Sequence, residues 1–338
     1  MTNLFSPEPR LRPFQPSRLK RMAPMLAAAT AFLAPGAASA ATYTIQNIGI
    51  PAQMGGFAYA LNNAGEVATT SLVKSFTFSD NTFSISQEII IPNVATSTPG
   101  VVAQGMNDLG EVAGRFRTAG NPANQTSGFV LRTNGTIDTF NYPSLSSTSV
   151  SAINDAGVLV GETRSDLTPF GVIRGFRYES GTYSEVHVTG ATLTRAYGIS
   201  DSGTIVGQYQ NADAINRPFI FSAGTYTEIT LTGAPGGVTS AFATGISDSG
   251  SIIGSYRNSA NVSSTWVRLA DGSFEYPVLP GIGWSINDAG QISGSYLDPA
   301  NGNTRTAFLA TPVPEPGTLL MLGGSALALL RRKRPSRQ

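Results

Sequence analysis

The sequence predicts an all-β fold: a six-bladed β-propeller of about 45-residue repeats, closed by N- and C-terminal strands that share one blade. Three observations predict it. A strand-turn-strand element recurs six times, an aromatic residue follows each copy, and the last copy lacks a strand that the start of the chain supplies. The segments flanking this domain (41–311) read as a signal peptide (1–40) and a tail with a C-terminal apolar helix (312–338).

The element reads ALNNAGEVA (60–68), GMNDLGEVAG (105–114), AINDAGVLVG (152–161), GISDSGTIVG (198–207), GISDSGSIIG (245–254) and SINDAGQISG (285–294). Its turn glycines, Gly65, Gly110, Gly157, Gly203, Gly250 and Gly290, stand 45, 47, 46, 47 and 40 residues apart. Such spacing, with several short strands per repeat, is that of propeller blades. An apolar residue such as Ile199 ends one strand, and Asn or Ser with Asp enters a turn where short polar side chains accept from neighbouring amides. The glycine takes the positive φ that closes such hairpins. A second glycine, as at Gly207, marks close approach of a neighbouring strand.

The aromatics after each copy are Phe76, Phe129, Phe176, Phe219, Trp266 and Phe308. A third landmark, two residues past a second turn, is Phe83, Ile137, Tyr183, Tyr226 and Phe274, with no sixth member after Phe308. ATYTIQNIGIPAQMGGFAYALNNAG (41–65) aligns with GTYTEITLTGAPGGVTSAFATGISDSG (224–250), setting Tyr43 opposite Tyr226. The start of the domain thus supplies the missing strand, and closure removes the sheet edges that invite aggregation. Another all-β repeat or a sandwich is the competing architecture.

Composition excludes several chemistries. The 338 residues contain no Cys and one His, His187, which removes disulfides, thiolate metal sites, cysteine nucleophiles and most histidine chemistry. The formal charge of +1 hides an asymmetry: residues 41–317 hold 12 basic and 20 acidic residues, with Lys74 the one lysine. Such an acidic body repels phosphate backbones, so no nucleic-acid partner is expected. No glycine-rich phosphate loop with Lys is present; no cofactor is expected.

At the N-terminus, Lys20-Arg21 precedes an apolar run from Met22 to Leu33, then Pro35-Gly36 and the small-x-small pattern Ala38-Ser39-Ala40. This is a secretory leader cut before Ala41 by signal peptidase, and the run is too short to span a bilayer. Met22 and Met25 are alternative starts. At the C-terminus, Val313-Pro314-Glu315-Pro316-Gly317 precedes the apolar run Thr318–Leu330 and Arg331-Arg332-Lys333-Arg334. The prolines leave an extended, accessible segment, and the basic cluster holds the end of the apolar helix on the cytoplasmic side, a transient inner-membrane anchor.

The order of motif, apolar helix and basic tail resembles the PEP-CTERM sorting signal of Gram-negative bacteria. The resemblance implies that an exosortase recognises Pro314-Glu315-Pro316, and that the protein is secreted or displayed at the cell surface, in association with exopolysaccharide and biofilm. The repeats resemble the HAF family of extracellular repeats in their N-D-x-G-x-V-x-G portion. They depart from it where TAF (306–308), RGF (174–176) and RPF (217–219) stand without histidine. That family implies export and a repeated β architecture, and no particular activity.

Candidate sites are sparse. Asp108, Asp155, Asp201, Asp248 and Asp288, with Asn63 as first member, suit turn capping better than calcium, which wants several carboxylates per loop. His187 lies two positions from Glu185, on one strand face, as a surface pair. Arg115, Arg117, Arg164, Arg174, Arg177, Arg195, Arg217, Arg257, Arg268 and Arg305 read as ion-pair partners for the excess acids, a sialidase-like arginine cluster being the sharper alternative. Tyr209, Tyr256 and Tyr296 either pack between blades or stack on sugars, packing being favoured. The expectation is a non-enzymatic surface protein whose rigid ring makes weak carbohydrate or protein contacts. The alternative is a secreted glycan-active hydrolase or lyase, whose acids from different blades would meet in one pocket, 5–9.5 Å apart.

Overall fold

The computed structural model describes residues 42–49, 56–71, 75–79, 84–92, 94, 100–120, 125–165 and 172–313. They form six four-stranded antiparallel sheets. The chain opens with β1 (Tyr43–Ile48). Blade 1 is β2 (Gly56–Leu61), β3 (Val67–Ser71), β4 (Ser75–Ser79) and β5 (Ser84–Ile89). Blade 2 is β6 (Val101–Met106), β7 (Val112–Phe116), β8 (Ser127–Leu131) and β9 (Ile137–Phe140). Blade 3 is β10 (Ser147–Ile153), β11 (Leu159–Arg164), β12 (Ile173–Glu179) and β13 (Thr182–Val186). Blade 4 is β14 (Leu193–Ile199), β15 (Ile205–Gln210), β16 (Asn216–Ser222) and β17 (Thr225–Glu228). Blade 5 is β18 (Ser240–Ile246), β19 (Ile252–Arg257), β20 (Ser263–Arg268) and β21 (Phe274–Glu275). Blade 6 takes β22 (Ile282–Ile286), β23 (Ile292–Asp298) and β24 (Thr304–Pro312) from the end of the domain and β1 from its start.

The architecture is therefore the six-bladed propeller that the repeats predict. β1 pairs antiparallel with β24 from Tyr43↔Pro312 to Ile48↔Ala307, and Val313 N donates to Thr42 O at 2.8 Å. The strand missing after Phe308 is thus supplied by the start of the domain, but two residues out of the register that aligning Tyr43 with Tyr226 suggested. Tyr226 faces Phe221, two residues past Phe219, whereas Ala310, two residues past Phe308, faces Ile45. Phe83, the apolar run Thr318–Leu330 and the leader lie outside the described residues. Among the described residues no helix is long and apolar enough to cross a membrane.

No blade has a core of its own. The buried apolar residues fall into six clusters, one in each seam between neighbouring blades. Ala113, Val130 and Phe140 of blade 2, for instance, pack on Val150, Leu159 and Phe176 of blade 3. The seam between blades 6 and 1 joins Ile48, Ala307 and Leu309 to Ala58, Val67 and Phe76, so it is completed by closure.

Within each blade the aromatic landmark lies across from the repeat's second glycine: Gly114↔Phe129, Gly161↔Phe176, Gly207↔Phe219, Gly254↔Trp266 and Gly294↔Phe308. The ring covers the glycine. A Cβ on Gly254 would lie 2.2 Å from Phe242 O and 2.4 Å from the Trp266 ring, so this position admits no side chain. The close approach read from the sequence is made by two partners at once, the first strand's carbonyl and the third strand's ring. Blade 1 departs, with Thr69 opposite Phe76.

Removing residues 42–48 strips β24 of its partner and Ile48 from the last seam, so the domain should unfold in one transition at least about 10 °C lower. Calorimetry of the truncated domain checks this; an unshifted melt would mean that closure carries no stability.

Candidate functional site

The six innermost strands, β2, β6, β10, β14, β18 and β22, line the propeller axis, and each carries a bulge at the same place. The register skips Tyr59, Gln104, Ser151, Tyr197, Thr244 and Trp284 in turn. A bulge leaves one residue outside the ladder and re-aims its side chain. All six are aimed into one axial chamber of about 370 Å³, whose wall also includes Arg195, Gln208, Asn216 and Phe242.

Successive residues of each element then form successive levels along the axis. Below the bulged residues lie the small residues Ala60, Gly105, Ala152, Gly198, Gly245 and Ser285. There a cavity of about 60 Å³ narrows the axis. A Cβ on Gly105 would sit 2.6 Å from Ala152 Cα, so smallness at this level lets adjacent blades touch by backbone. Leu61, Met106, Ile153, Ile199, Ile246 and Ile286 come next, above the polar turns and a final cavity of about 50 Å³.

At that end the repeated acids meet on the axis. Each turn amide donates to the next blade's side chain. Asn63 N reaches Asp108 Oδ1 (2.7 Å), Asp108 N reaches Asp155 (2.9 Å), Asp155 N reaches Asp201 (2.9 Å) and Asp201 N reaches Asp248 (2.6 Å). Ser249 N donates to Asp288 (2.7 Å), and Asp288 N donates to Asn63 Oδ1 (2.8 Å), closing the circle. The capping is therefore between blades. Inside five of the six turns the preceding residue does that work, as where Asn62 Oδ1 accepts from Glu66 N and Asn154 Oδ1 from Val158 N, both at 2.9 Å, whereas Ser200 Oγ bonds Ser202 Oγ. Each turn glycine has positive φ, from 72° at Gly290 to 92° at Gly250. Among the described residues no group of three or more His, Asp or Glu is placed to hold a metal ion.

Burial raises the pKa of Asp155, with the charges of Asp201 and Asp108 adding to it. Asp248 is raised in the same way, by burial first and then by Asp201, Asp288 and Asp108. Its side chain keeps a face to water, which screens part of this repulsion.

The chamber end has a different character. Phe57 stacks on Tyr59 at 5.0 Å, and Trp284 meets Tyr59 edge-on at 5.4 Å. Trp284 Nε1 donates to Ser295 Oγ (3.2 Å), and Arg305 Cζ lies 4.5 Å over the Phe57 ring. Arg195 Nε is 2.8 Å from Glu162 Oε2 but is not aligned for a hydrogen bond, so the contact is an ion pair rather than a linear N–H···O bond. Arg195 Nη1 reaches Tyr197 Oη at 3.3 Å. Burial pushes both phenols up: Tyr59 against the opposing charges of Arg115 and Arg305, Tyr197 against Arg195 and Arg115.

Other residues singled out by the sequence lie elsewhere. Glu185 pairs with Arg174 at 2.8 Å instead of with His187, because Arg174, diagonal to it on β12, brings one guanidinium nitrogen within reach of both carboxylate oxygens. His187 Nδ1 faces Thr194 Oγ1 at 3.2 Å. Arg177 pairs with Glu179 and Arg217 with Asp213, as ion pairing predicts. Tyr209 and Tyr256 are buried, the first bonded to Glu228 and the second to Pro235 O (3.2 Å), while Tyr296 bonds Asn47 of β1. These tyrosines pack. The bulged residues were not singled out, although a signal exists: they directly precede each element and vary (Tyr, Gln, Ser, Tyr, Thr, Trp) where the element itself hardly does. The cleavage residues Ala38, Ala40 and Ala41 and the sorting residues Pro314, Glu315 and Pro316 lie outside the described residues; Val313 is exposed beside Thr42.

Residues 312–334 match the PEP-CTERM protein-sorting motif. The chain is an exported protein of the exosortase-sorted kind, carried on a propeller scaffold. No curated protein matches it in sequence. Among solved structures, a gluconolactonase from Xanthomonas campestris superposes with TM-score 0.51 at 9% identity, over 82% of this chain and 92% of that one. TolB from Acinetobacter baumannii gives 0.48 at 12%, over 75% of this chain, which spans only 63% of TolB. The Aleuria aurantia lectin gives 0.44 at 11%, over 80% and 100%. At these identities the likeness shows the fold alone.

The acid circle yields a prediction with a sign. A carboxyl whose folded pKa is raised favours folding when protonated, and that advantage is lost as pH rises from the ordinary carboxylate value through the raised one. At pH 7 Asp248 therefore carries a cost. Asp248→Asn keeps the acceptor for Asp201 N, as Asn63 does for Asp288, and should raise Tm at pH 7, with the gain fading below about pH 4. Asp248→Ala loses the acceptor and should lower Tm. Melts at both pH values check this, and a lower Tm for the Asn variant at pH 7 would contradict it.

Proposed function

We propose that this protein is a non-enzymatic carbohydrate-binding protein of the cell surface or exopolysaccharide matrix, with the axial chamber as its binding site. The observation that carries the reading is the convergence of six bulged side chains, one per blade, on a single chamber. Tyr59, Tyr197, Phe242 and Trp284 give it apolar faces, and Gln104, Gln208 and Arg195 give it hydrogen-bonding groups. A concave site of a few hundred Å³, mostly apolar with a few convergent polar groups, suits a small ligand. The flat face of an aromatic ring suits the C–H face of a sugar. Asn216 also lines a groove of about 300 Å³ between blades 4 and 5, so the chamber has a neighbour along which further sugar units would lie.

Binding without turnover fits the wall chemistry. Glycoside hydrolysis commonly uses two carboxylates flanking the bond, whereas the residues lining the chamber include no carboxylate. The axial acids lie at the far end, beyond the narrow level, and each holds a backbone amide. Tyr59 and Tyr197, with raised pKa values, stay protonated and serve as donors rather than nucleophiles. The HAF-like repeat pattern and the sorting motif agree with a surface role. A hydrolase or lyase is the second reading, favoured by Glu162 beside Arg195 and Tyr197. Release of product from a bound glycan, abolished in Glu162→Gln, would establish it.

Trp284→Ala should weaken glycan binding by about tenfold or more, since buried aromatic contacts are worth a few kcal/mol. Tm should fall by only a few degrees. Glycan arrays followed by titration check this, and unchanged binding would move the site away from the chamber. In the native host, mass spectrometry should find a mature protein beginning at Ala41 and lacking the tail beyond the Pro314-Glu315-Pro316 region. An intact C-terminus in a host with an exosortase would contradict the processing.

A further inference from the structure

We propose that the sugar taken by the chamber bears a carboxylate, held by Arg115 and Arg195. This rests on the carbohydrate-binding reading above and gives its ligand a chemical class. The domain body is acidic, with 20 Asp and Glu against 12 Lys and Arg over residues 41–317, yet the charge around the chamber has the opposite sign.

Arg195 lines the chamber. Arg115 follows Gly114 on β7 at the register position that Gln208, a residue of the chamber wall, holds after Gly207 on β15, and its charge acts on both Tyr59 and Tyr197. Arg305 adds a third positive charge over Phe57, which stacks on Tyr59. Against these stands Glu162, paired with Arg195. Among the described residues neither Arg115 nor Arg305 has a carboxylate within ion-pairing distance. The other arginines of blades 3 and 4 mostly have one: Arg174 has Glu185, Arg177 has Glu179 and Arg217 has Asp213. Arg115 and Arg305 are therefore two of the cations without an ion-pair partner among the described residues, and both act on the aromatic group at the cavity.

A guanidinium matches a carboxylate through two parallel N–H···O bonds, a fit that an uncharged hydroxyl does not reproduce. Arg195 is already oriented by Glu162 and Tyr197, and its Nε is buried without an aligned hydrogen bond, so its donors are not saturated. The protonated phenols of Tyr59 and Tyr197 supply further donors. Trp284 and Tyr59 offer ring faces to the sugar body, and the amides of Gln104 and Gln208 suit its hydroxyls. A charge-assisted bond gains strength in such a partly dry chamber.

The test uses the whole propeller domain and a panel of trimeric oligosaccharides containing glucuronate, galacturonate or mannuronate. Each trimer is paired with its carboxyl-reduced, neutral form, and both are titrated calorimetrically. The expected result is that at least one acidic trimer binds, with its neutral partner weaker by about tenfold or more, the scale of a hydrogen bond to a charged group. Arg115→Gln should weaken the acidic trimer by a similar factor and bring its affinity close to that of its neutral partner. Raised salt should narrow the gap between the pair. Equal affinity for both members of every pair would overturn the carboxylate and leave the carbohydrate reading standing. Binding by no member of the panel would overturn both. Should the Arg115 variant fail to fold, the paired titrations of the unaltered protein decide the question alone.

Discussion

The structure depends on a ring in which every blade borrows half its core from a neighbour. A four-stranded sheet buries little by itself; here each seam between sheets collects the apolar side chains of both, and only a closed circle gives all six sheets two covered faces. Closure between β1 and β24 is what makes the sixth seam equal to the others. At the axis the constraint appears a second time, as a circle of backbone amides each held by the next blade's Asp or Asn. A propeller assembled this way has no natural stopping point short of completion, which agrees with a stable exported domain that lacks disulfides.

The axial levels show how one short element serves two ends. Its small residue allows blade-to-blade backbone contact, its aliphatic residue closes the axis, and its Asn or Ser and Asp finish the turn and latch the neighbour. These levels barely vary from blade to blade because each has the same sixfold task. The bulged level has no such task. Its six side chains do not pair in a ladder or fill a seam, so they are free to differ, and they combine aromatic, amide and hydroxyl groups around one space. Symmetry supplies the scaffold, and its relaxation at one level supplies the chemistry.

Much of the fold was legible in the sequence because its signals are local. Glycines with positive φ, an aromatic at fixed distance and a missing strand replaced at Tyr43 can each be read along the chain. The site was less legible because it is built across blades. Alternation with period two carries no mark of a bulge, so Tyr59 or Trp284 looks like any strand residue until the register is seen to skip it. The Asp side chains were legible as caps, but their acceptor role lies on the neighbouring blade, some 45 residues away. Spacing along a strand also misassigned Glu185, whose partner is the cross-strand Arg174 rather than His187.

One consequence follows from where the domain's two ends emerge. Pro312 lies against Gly290, at the turn end of the axis, with its ring carbon 3.3 Å from where a Cβ on that glycine would stand. Thr42 is bonded to Val313 beside it. The chain therefore enters and leaves on the face that bears the acid circle, opposite the chamber mouth. An attachment made through Val313 would thus meet the domain on the face opposite the chamber.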